Sequence, residues 1–234
     1  EYGQAFIQDL EKANIVYKGV VKQNDLPTGC CNILVSPDGE RTMATHIGIG
    51  SQLHPNELTE DSLQGVDHIY MESYLWDHDL TKQTLKKVGK IAKTMNIETS
   101  LSLSDPFCVD RHRDELKEFI EEYVNLVFCN FDEAKMFAQS ETMADVSAFF
   151  QSFGKKIAMT ASAEGAYFFH GETISHQPAQ NIEQVIDTTG AGDNFAAGFL
   201  DQYLSEKTID EALAQGNARA GEVIQQLGPR IKRH

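Results

Sequence analysis

From residue 67 onward, strand-like and helix-like segments alternate along the chain, and this alternation constrains the fold more than any other feature. The strand-like segments span residues 68–75, 98–103, 126–129 and 156–160, and the helical stretches lie near 78–95, 110–123, 131–138 and 142–152. Strands that are separated by helices pair in parallel, with the helices covering both faces of the sheet. The pattern therefore predicts an α/β fold built on a doubly wound, mostly parallel sheet.

The first 50 residues follow a different pattern. Residues 1–13 have the spacing of an amphipathic helix, with Phe6, Ile7 and Leu10 on one face. Three strand-like segments follow at 14–22, 29–36 and 41–48, and the sequence Pro-Asp-Gly-Glu at 37–40 predicts a hairpin turn. Strands without intervening helices indicate an antiparallel piece. We therefore predict a helix at 1–14 that belongs to the main domain, a small β layer at 15–50, and an α/β domain at 51–234.

Past the alternating region, the sequence predicts two short strands, 166–170 and 173–176, around a turn at Gly171. Two long helices, near 190–205 and 208–227, follow.

Composition excludes several classes of protein. The chain has 35 acidic and 20 basic residues and a net charge of −15, which argues against nucleic acid as a partner. No apolar run approaches the length of a membrane span. The four cysteines form no C-x-x-C pair and have no zinc-ligand spacing with histidine. We expect reduced, buried thiols in a cytoplasmic protein, and no zinc site.

The run Asp-Thr-Thr-Gly-Ala-Gly-Asp at 187–193 is the strongest candidate for a functional site. It forms a glycine-rich turn that opens directly into an apolar-periodic helix, and such a helix N-terminus binds phosphate through its free N–H groups and its dipole. Asp193 does not fit an anion site unless it has another task, such as removing a proton from an attacking alcohol. The alternative is an ordinary capped helix, since Asp and Gly are common at helix starts.

The whole string, with Asn194-Phe195-Ala196-Ala197-Gly198-Phe199 after it, resembles the signature of the ribokinase (PfkB) family of carbohydrate and nucleoside kinases. The resemblance implies transfer of the γ-phosphate of ATP, with Mg²⁺, to a hydroxymethyl group of a small molecule. In that reading Asp193 is the catalytic base, while Gly190, Ala191 and Gly192 form the anion hole around the ATP phosphates. It also implies the ribokinase-like version of the α/β fold, in which residues 15–50 are a β-sheet lid.

Asn130 and Glu133 lie where a short apolar strand meets a helix. As bare chemistry they form a capping box, with a good N-cap and an acid three residues later. The carboxyl ends of strands in such sheets are also where ligands bind. The pair resembles the N-x-x-E motif of the family, which implies a role with magnesium and phosphate in which Glu133 acts mostly through water.

Further correspondences rest on shorter strings. Thr160 and Gly165 occupy the ends of the family's T-x-G-x-x-G turn beside the nucleotide, with Ser162 in place of the first glycine. Asn217 resembles a residue near the ATP base. Asp187 and Thr189 resemble ligands of a monovalent cation, K⁺. For each of these, helix packing or capping is the alternative interpretation.

The acceptor is indicated by two further strings. Residues 27–32, which include Thr28 and Cys30, resemble a lid strand of the adenosine kinase branch, and residues 102–107 resemble a strand end of the same branch. Arg41 follows the lid turn, where an arginine of the family closes on the transferred phosphate. The resemblance thus favours adenosine over a simple sugar such as ribose or fructose. It is also compatible with a homodimer that forms through the lid.

Two other functions compete with the kinase. The resemblance places a first strand with a substrate-binding Asp and a Gly-Gly motif before residue 1, so we expect the N-terminal part of the fold to be missing, which allows a non-catalytic nucleotide-binding fragment. An NAD-dependent dehydrogenase is disfavoured, because Phe195 stands where G-x-G-x-x-G needs its third glycine.

Overall fold

The computed structural model describes residues 2–19 and 26–231. Within these ranges the strands and helices, apart from short 3₁₀ turns, are α1 (Tyr2–Lys12), β1 (Thr28–Val35), β2 (Arg41–Gly48), β3 (His68–Glu72), α2 (Asp79–Met95), β4 (Glu98–Ser102), α3 (Pro106–Tyr123), β5 (Leu126–Asn130), α4 (Phe131–Ala138), α5 (Met143–Phe153), β6 (Lys156–Thr160), β7 (Ala166–His170), β8 (Thr173–Gln177), α6 (Ala191–Leu204) and α7 (Ile209–Val223).

The main sheet has six strands in the order β3-β4-β5-β6-β7-β8. The pairs from β3 to β6 are parallel, and β7 and β8 extend the sheet as an antiparallel hairpin. This confirms the predicted α/β fold with a mostly parallel sheet. The register brings the strand ends together: Glu72 pairs with Ser102, and Asn130 pairs with Thr160. Polar residues therefore collect along the carboxyl edge of the parallel strands.

Side chains of β5 alternate between two cores, one on each face of the sheet. Val127 and Cys129 belong to a core that includes side chains from α2 to α5, whereas Leu126 and Phe128 belong to a core with α6 and α7. Strands that are apolar on both sides need such a double cover. Phe195 and Phe199, both almost fully buried, attach α6 to this second core and so fix the helix that follows the glycine turn.

A separate two-stranded antiparallel sheet is formed by β1 and β2. Val35 pairs with Arg41, Ile33 with Met43 and Cys31 with Thr45, while Cys30 pairs with His46. Because side chains alternate along a strand and opposite residues share a face, Arg41, Met43 and Cys31 lie on one face. Thr28 and Cys30 lie on the other.

The predicted strand at 14–22 is wrong for residues 14–19, which form a turn and an irregular segment. Asn14 adopts a left-handed conformation with φ of 58°, and Ile15 donates to Leu10 O, so this segment closes α1. Residues 20–22 lie outside the described ranges. The valine and tyrosine that suggested a strand, Val16 and Tyr17, are exposed.

Smaller corrections concern the boundaries of elements. The first parallel strand ends at Glu72 rather than at residue 75, α3 begins at Pro106 rather than at 110, and α7 ends at Val223 rather than at 227.

The cysteines also differ in part from expectation. All four are free, but only Cys108 and Cys129 are buried, since Cys30 and Cys31 lie in the exposed hairpin. Within residues 2–19 and 26–231, no helix is both long and apolar enough to cross a membrane.

Candidate active site

A cavity of about 370 Å³ opens at the carboxyl edge of the parallel strands, between the main sheet, the start of α6 and the β1–β2 hairpin. The strand ends contribute polar side chains, and the glycine turn at 188–193 closes one side. The described lining residues are Arg41, Met43, Glu72, Tyr74, Ser102, Ser104, Phe128, Cys129, Asn130, Glu133, Thr160, Thr188, Thr189, Gly190, Ala191, Gly192, Asp193 and Phe195. The structure thus brings together most of the residues that the sequence selected.

Gly190 is the N-cap of α6 and has a φ of 77°, a conformation that favours glycine. A Cβ atom there would lie 2.7 Å from Pro229 Cβ and 2.9 Å from Pro229 O. Gly192, in contrast, would place a Cβ in open space. Gly190 is therefore required by packing, whereas Gly192 leaves room beside the cavity.

The first N–H groups of α6 differ in their partners. Ala191 N donates to Thr188 O at 3.2 Å, and Asn194 N donates to Gly190 O at 2.9 Å. Among the described residues, no backbone carbonyl accepts from Gly192 N or Asp193 N. Two donors at the positive end of a helix are thus available at a cavity, which is the arrangement that binds phosphate.

Asp193 lies in the first turn of α6 and lines the same cavity. Burial raises the pKa of its carboxyl group. Burial, and then the charge of Asp193, also raises the pKa of Glu72 at the end of β3. Although Asp193 is still exposed to the cavity, this partial burial makes its carboxylate a stronger base than that of a fully solvated aspartate.

Asn130 and Glu133 form the predicted capping box at the start of α4. Asn130 N donates to Glu133 Oε2 at 2.9 Å, Asn130 Nδ2 donates to Glu133 Oε1 at 2.7 Å, and Glu133 N donates to Asn130 Oδ1 at 2.8 Å. Glu133 is only 5% exposed, and burial raises the pKa of its carboxyl group to about 7. The capping box therefore holds the Glu133 carboxylate where it is poorly solvated, and a nearby cation would stabilise its charge.

The donor set suits magnesium, which takes hard oxygen ligands and keeps several waters. Glu72, Glu133 and Asp193 all line the cavity, and Arg41 is the one basic residue among the described lining residues. The described part of the chain holds no group of three or more His, Cys, Asp or Glu placed to bind a metal directly. The residues thus fit a water-mediated ion better than a direct protein cage.

Asp187 is buried and serves as an anchor for two segments. Its Oδ1 accepts hydrogen bonds from Thr189 N at 2.8 Å and Thr189 Oγ1 at 2.5 Å, and its Oδ2 accepts one from Gly228 N at 2.9 Å. Although burial acts to raise the pKa of this carboxyl group, these hydrogen bonds and the charge of Arg41 bring it below its usual value. K⁺ binding by Asp187 and Thr189 stays a prediction.

Thr160 lines the cavity, whereas the other two nucleotide-site candidates, Gly165 and Asn217, are not among its described lining residues. Gly165 has a φ of 98°, and a Cβ there would lie 2.1 Å from Gln177 O. Ser162 takes a left-handed φ of 48°, so the serine adopts a conformation in which glycine is favoured. Asn217 donates its side-chain amide to Gln177 O at 2.9 Å and Pro178 O at 3.2 Å, which ties α7 to the end of β8.

The hairpin contributes Arg41 and Met43 to the cavity, but not Thr28 or Cys30. Strand alternation explains the difference, since Thr28 and Cys30 point to the opposite face of the hairpin. Arg111 and His112, two neighbouring basic residues on α3, do not line this cavity, and both bind Asp77, at 2.8 Å for each closest pair of atoms.

Sequence reasoning missed Glu72, the last residue of β3. Ser102 and Ser104 belong to the stretch 102–107 that the sequence singled out, at and just after the end of β4, and Tyr74 donates its hydroxyl to Ser104 O at 2.9 Å. Burial, followed by the charges of nearby acids, raises the pKa of Tyr74 to about 12. The rule that ligands bind at the carboxyl ends of parallel strands would have selected Glu72, had the end of β3 been placed correctly.

A doubly wound sheet, a glycine turn that opens a helix at a cavity, an aspartate in that turn and a β hairpin beside the cavity are features of the class of sugar and nucleoside kinases. The sequence model of the pfkB family of carbohydrate kinases matches residues 1–233, and the chain belongs to this family. The family implies ATP as phosphate donor and, in most members, Mg²⁺.

Solved structures and curated relatives agree. The adenosine kinase of Sinorhizobium meliloti superposes with a TM-score of 0.94 at 35% identity, over 98% of this chain and 71% of that one. A probable sugar kinase from Rhizobium etli gives a TM-score of 0.94 at 34% identity, over 98% and 70%. The adenosine kinase of Schizophyllum commune is 26% identical, over 96% of this chain and 69% of its own length.

Proposed function

We propose that this chain carries the phosphotransfer site of an adenosine kinase, with Asp193 as the catalytic base. The observation that carries the proposal is the position of Asp193. Its carboxyl group lines the cavity in the same helical turn that offers the N–H groups of Gly192 and Asp193, and partial burial raises its pKa. A base next to an anion cradle suits the removal of a proton from an alcohol while a phosphoryl group is transferred to it.

The chain's own residues divide the work as follows. Asp193 accepts the proton of the attacking hydroxyl group, and the raised pKa of its carboxyl group strengthens it as a base. Gly192 N and Asp193 N donate to the phosphate oxygens, and Gly190 and Ala191 shape the turn that presents them. Arg41 adds a positive charge from the hairpin side, where it stabilises charge on the transferred group.

Asn130 and Glu133 would hold Mg²⁺ through water, and the ion would supply charge neutralisation on the ATP phosphates. Thr160, which lines the cavity, would contact the nucleotide. Gly165 and Asn217 would contribute to nucleotide binding indirectly, because both contact the backbone at Gln177 and so fix its position. In this proposal residues 15–50 form the lid and residues 51–234 the nucleotide-binding domain.

Adenosine is favoured as the acceptor by two considerations. Relatives that include the proteins of Sinorhizobium meliloti and Schizophyllum commune carry the name adenosine kinase. Met43, Tyr74 and Phe128 add apolar and aromatic surface to an otherwise polar cavity, which suits a base better than a free sugar does. The probable sugar kinase from Rhizobium etli keeps ribose or another simple sugar as the second candidate.

The test measures ATP-dependent phosphorylation of adenosine, cytidine, ribose and fructose by the purified protein, together with its Asp193→Asn variant. We expect the highest kcat/KM with adenosine and a loss of about 10²–10⁴-fold in kcat for the variant, since that is what a general base contributes. Asp201→Asn, an exposed position on the same helix, is the matched control and should keep the wild-type rate. Equal rates for the wild type and Asp193→Asn would remove the base assignment.

A further inference from the structure

The turn between β1 and β2 packs against the segment that precedes the glycine turn of α6. Thr188 Oγ1 donates to Gly39 O at 3.4 Å, across almost 150 residues of sequence. Gly39 is buried, although most of the hairpin is exposed. A Cβ atom at Gly39 would lie 3.2 Å from Val185 Cγ1, so the backbone of the turn makes close contact there.

The turn is braced by its own hydrogen bonds, which connect Gly39 to the start of β2 at Arg41. Gly39 N donates to Ser36 O at 2.9 Å, and Ser36 N donates to Glu40 O at 2.8 Å. The side chains of Ser36 and Asp38 add hydrogen bonds, at 2.6 Å between them and 3.2 Å from Glu40 N to Asp38 Oδ1. Arg41 begins β2 directly after this turn.

The segment that receives the turn is also fixed. Ile186 N donates to Ile224 O at 2.8 Å, next to the end of α7. Asp187 is held by Thr189 and Gly228, and Thr188 O accepts from Ala191 N. The contact at Gly39 therefore ties the hairpin to the same backbone that forms the anion turn.

We propose that Gly39, Val185 and Thr188 are positioning residues that dock the hairpin turn and thereby hold Arg41 over the phosphate-binding end of the cavity. Arg41 lines the same cavity as Thr188 and Thr189, and its charge contributes to the lowered pKa of Asp187. The contact of Gly39 with Val185 and Thr188 is called the dock below. The inference rests on the proposed phosphotransfer function, because it assigns the dock a part in that reaction.

The test first disrupts the dock by adding a side chain at Gly39, and then restores the space by shortening Val185. Gly39→Asn keeps the turn, because asparagine adopts a positive φ more readily than other non-glycine residues, but its side chain meets Val185. Val185→Ala in the same chain makes room. Gly171→Asn is the matched control, since Gly171 has a positive φ of 56° in the turn between β7 and β8 and a Cβ there meets nothing within 4 Å.

We expect Gly39→Asn to lower kcat by about tenfold or more, with little change in the KM for ATP, because Arg41 acts on charge that develops in the transition state. Adding Val185→Ala should restore most of the rate, and Gly171→Asn should keep the wild-type rate. In an Arg41→Ala background, Gly39→Asn should cost nothing further, since both changes remove the same contribution. Losses that multiply, or an equal loss in Gly171→Asn, would overturn the proposal.

Hydrogen exchange gives a readout that does not depend on activity. Gly39→Asn should accelerate exchange of the amides of β1 and β2 and leave those of β3 to β6 unchanged. Unchanged exchange in the hairpin would overturn the dock. If the hairpin loosens as expected while the wild type phosphorylates none of the acceptors, the dock stands and the proposed function fails.

Discussion

At the scale of single residues, the cavity keeps carboxyl groups in surroundings that disfavour their charge. Glu133 is held by three hydrogen bonds to Asn130, yet burial still raises the pKa of its carboxyl group. Burial raises the pKa of Asp193, and burial together with the charge of Asp193 raises the pKa of Glu72. Such groups destabilise the fold when they ionise, but their ionised forms bind cations well. The free energy of unfolding is therefore lower at this edge of the sheet than it would be without these carboxylates, and ligand binding is favoured there.

The pH dependence of stability should reveal Glu133. Its pKa rises from 4.5 to about 7 on folding, so the folded state binds more protons than the unfolded state between these values. The free energy of unfolding should therefore fall as the pH rises through this window, by about 3 kcal/mol if the whole shift is realised. Glu133→Gln should flatten the dependence. Urea titrations at about pH 5 and about pH 7.5 measure it, and parallel curves for both proteins would contradict the prediction.

The two glycines of the anion turn should respond differently to an added methyl group. Gly190→Ala forces a positive φ on alanine and meets Pro229, so we expect a loss of about 1–3 kcal/mol in the free energy of unfolding. Gly192→Ala fills open space, so stability should stay within about 0.5 kcal/mol while ATP affinity falls. Denaturation and calorimetry with ATP separate the two effects. A Gly192→Ala variant that binds ATP as the wild type does would refute the cradle.

At the scale of elements, α3 shows how a helix start was misplaced. The sequence predicts a helix from residue 110, where the apolar spacing becomes regular, but the structure begins it at Pro106. Asp105 caps it by accepting from Phe107 N at 2.7 Å and Cys108 N at 3.2 Å. An Asp followed by Pro is itself a start signal. The predicted strand failed over residues 14–19, because strand-forming residues such as Val16 and Tyr17 also occur in exposed, irregular segments.

Replacing the cap of α3 gives a test at this scale. Asp105→Ala removes the acceptor for two N–H groups and should lower the free energy of unfolding by about 1 kcal/mol. Asp105→Asn keeps an acceptor and should lose less. It also removes a charge that helps to raise the pKa of Glu133, so its pH dependence should be weaker than that of the wild type. Chemical denaturation of the three proteins side by side decides, and equal losses for Ala and Asn would contradict the capping role.

At the scale of the whole molecule, the parallel sheet was predictable because its signal is repeated in every strand and helix. The contiguous part of the site was predictable too, since Asp193 and its glycine turn occupy seven neighbouring residues. Glu72 was not, because it joins the cavity only through the register of β3 with β4. The placement of Thr28 and Cys30 on the far face depends on the pairing of β1 with β2, which a strand by itself does not reveal.

The second core connects catalysis to global stability. Phe199 is fully buried, and its ring lies 5.5 Å from that of Phe128 and 6.1 Å from that of Phe168. We expect Phe199→Ala to lower the free energy of unfolding by about 3–5 kcal/mol and to reduce activity, because α6 loses its main packing contact with the sheet. Leu204→Ala, at a half-exposed position on the same helix, should change stability far less. Thermal and urea unfolding of both variants provide the measurement, and similar losses would show that α6 is not anchored by Phe199.

The contrast between Gly190 and Gly192 has a consequence for how such proteins diverge. Gly190 is required by the packing of Pro229, whereas no described neighbour requires Gly192, so that in the proposed function only the bound phosphate would constrain it. In a lineage released from selection for phosphate transfer, substitutions at Gly192 would accumulate first, while Gly190 would persist as long as the protein had to fold. The order in which these two neighbours decay is therefore a record of when a descendant stopped being an enzyme.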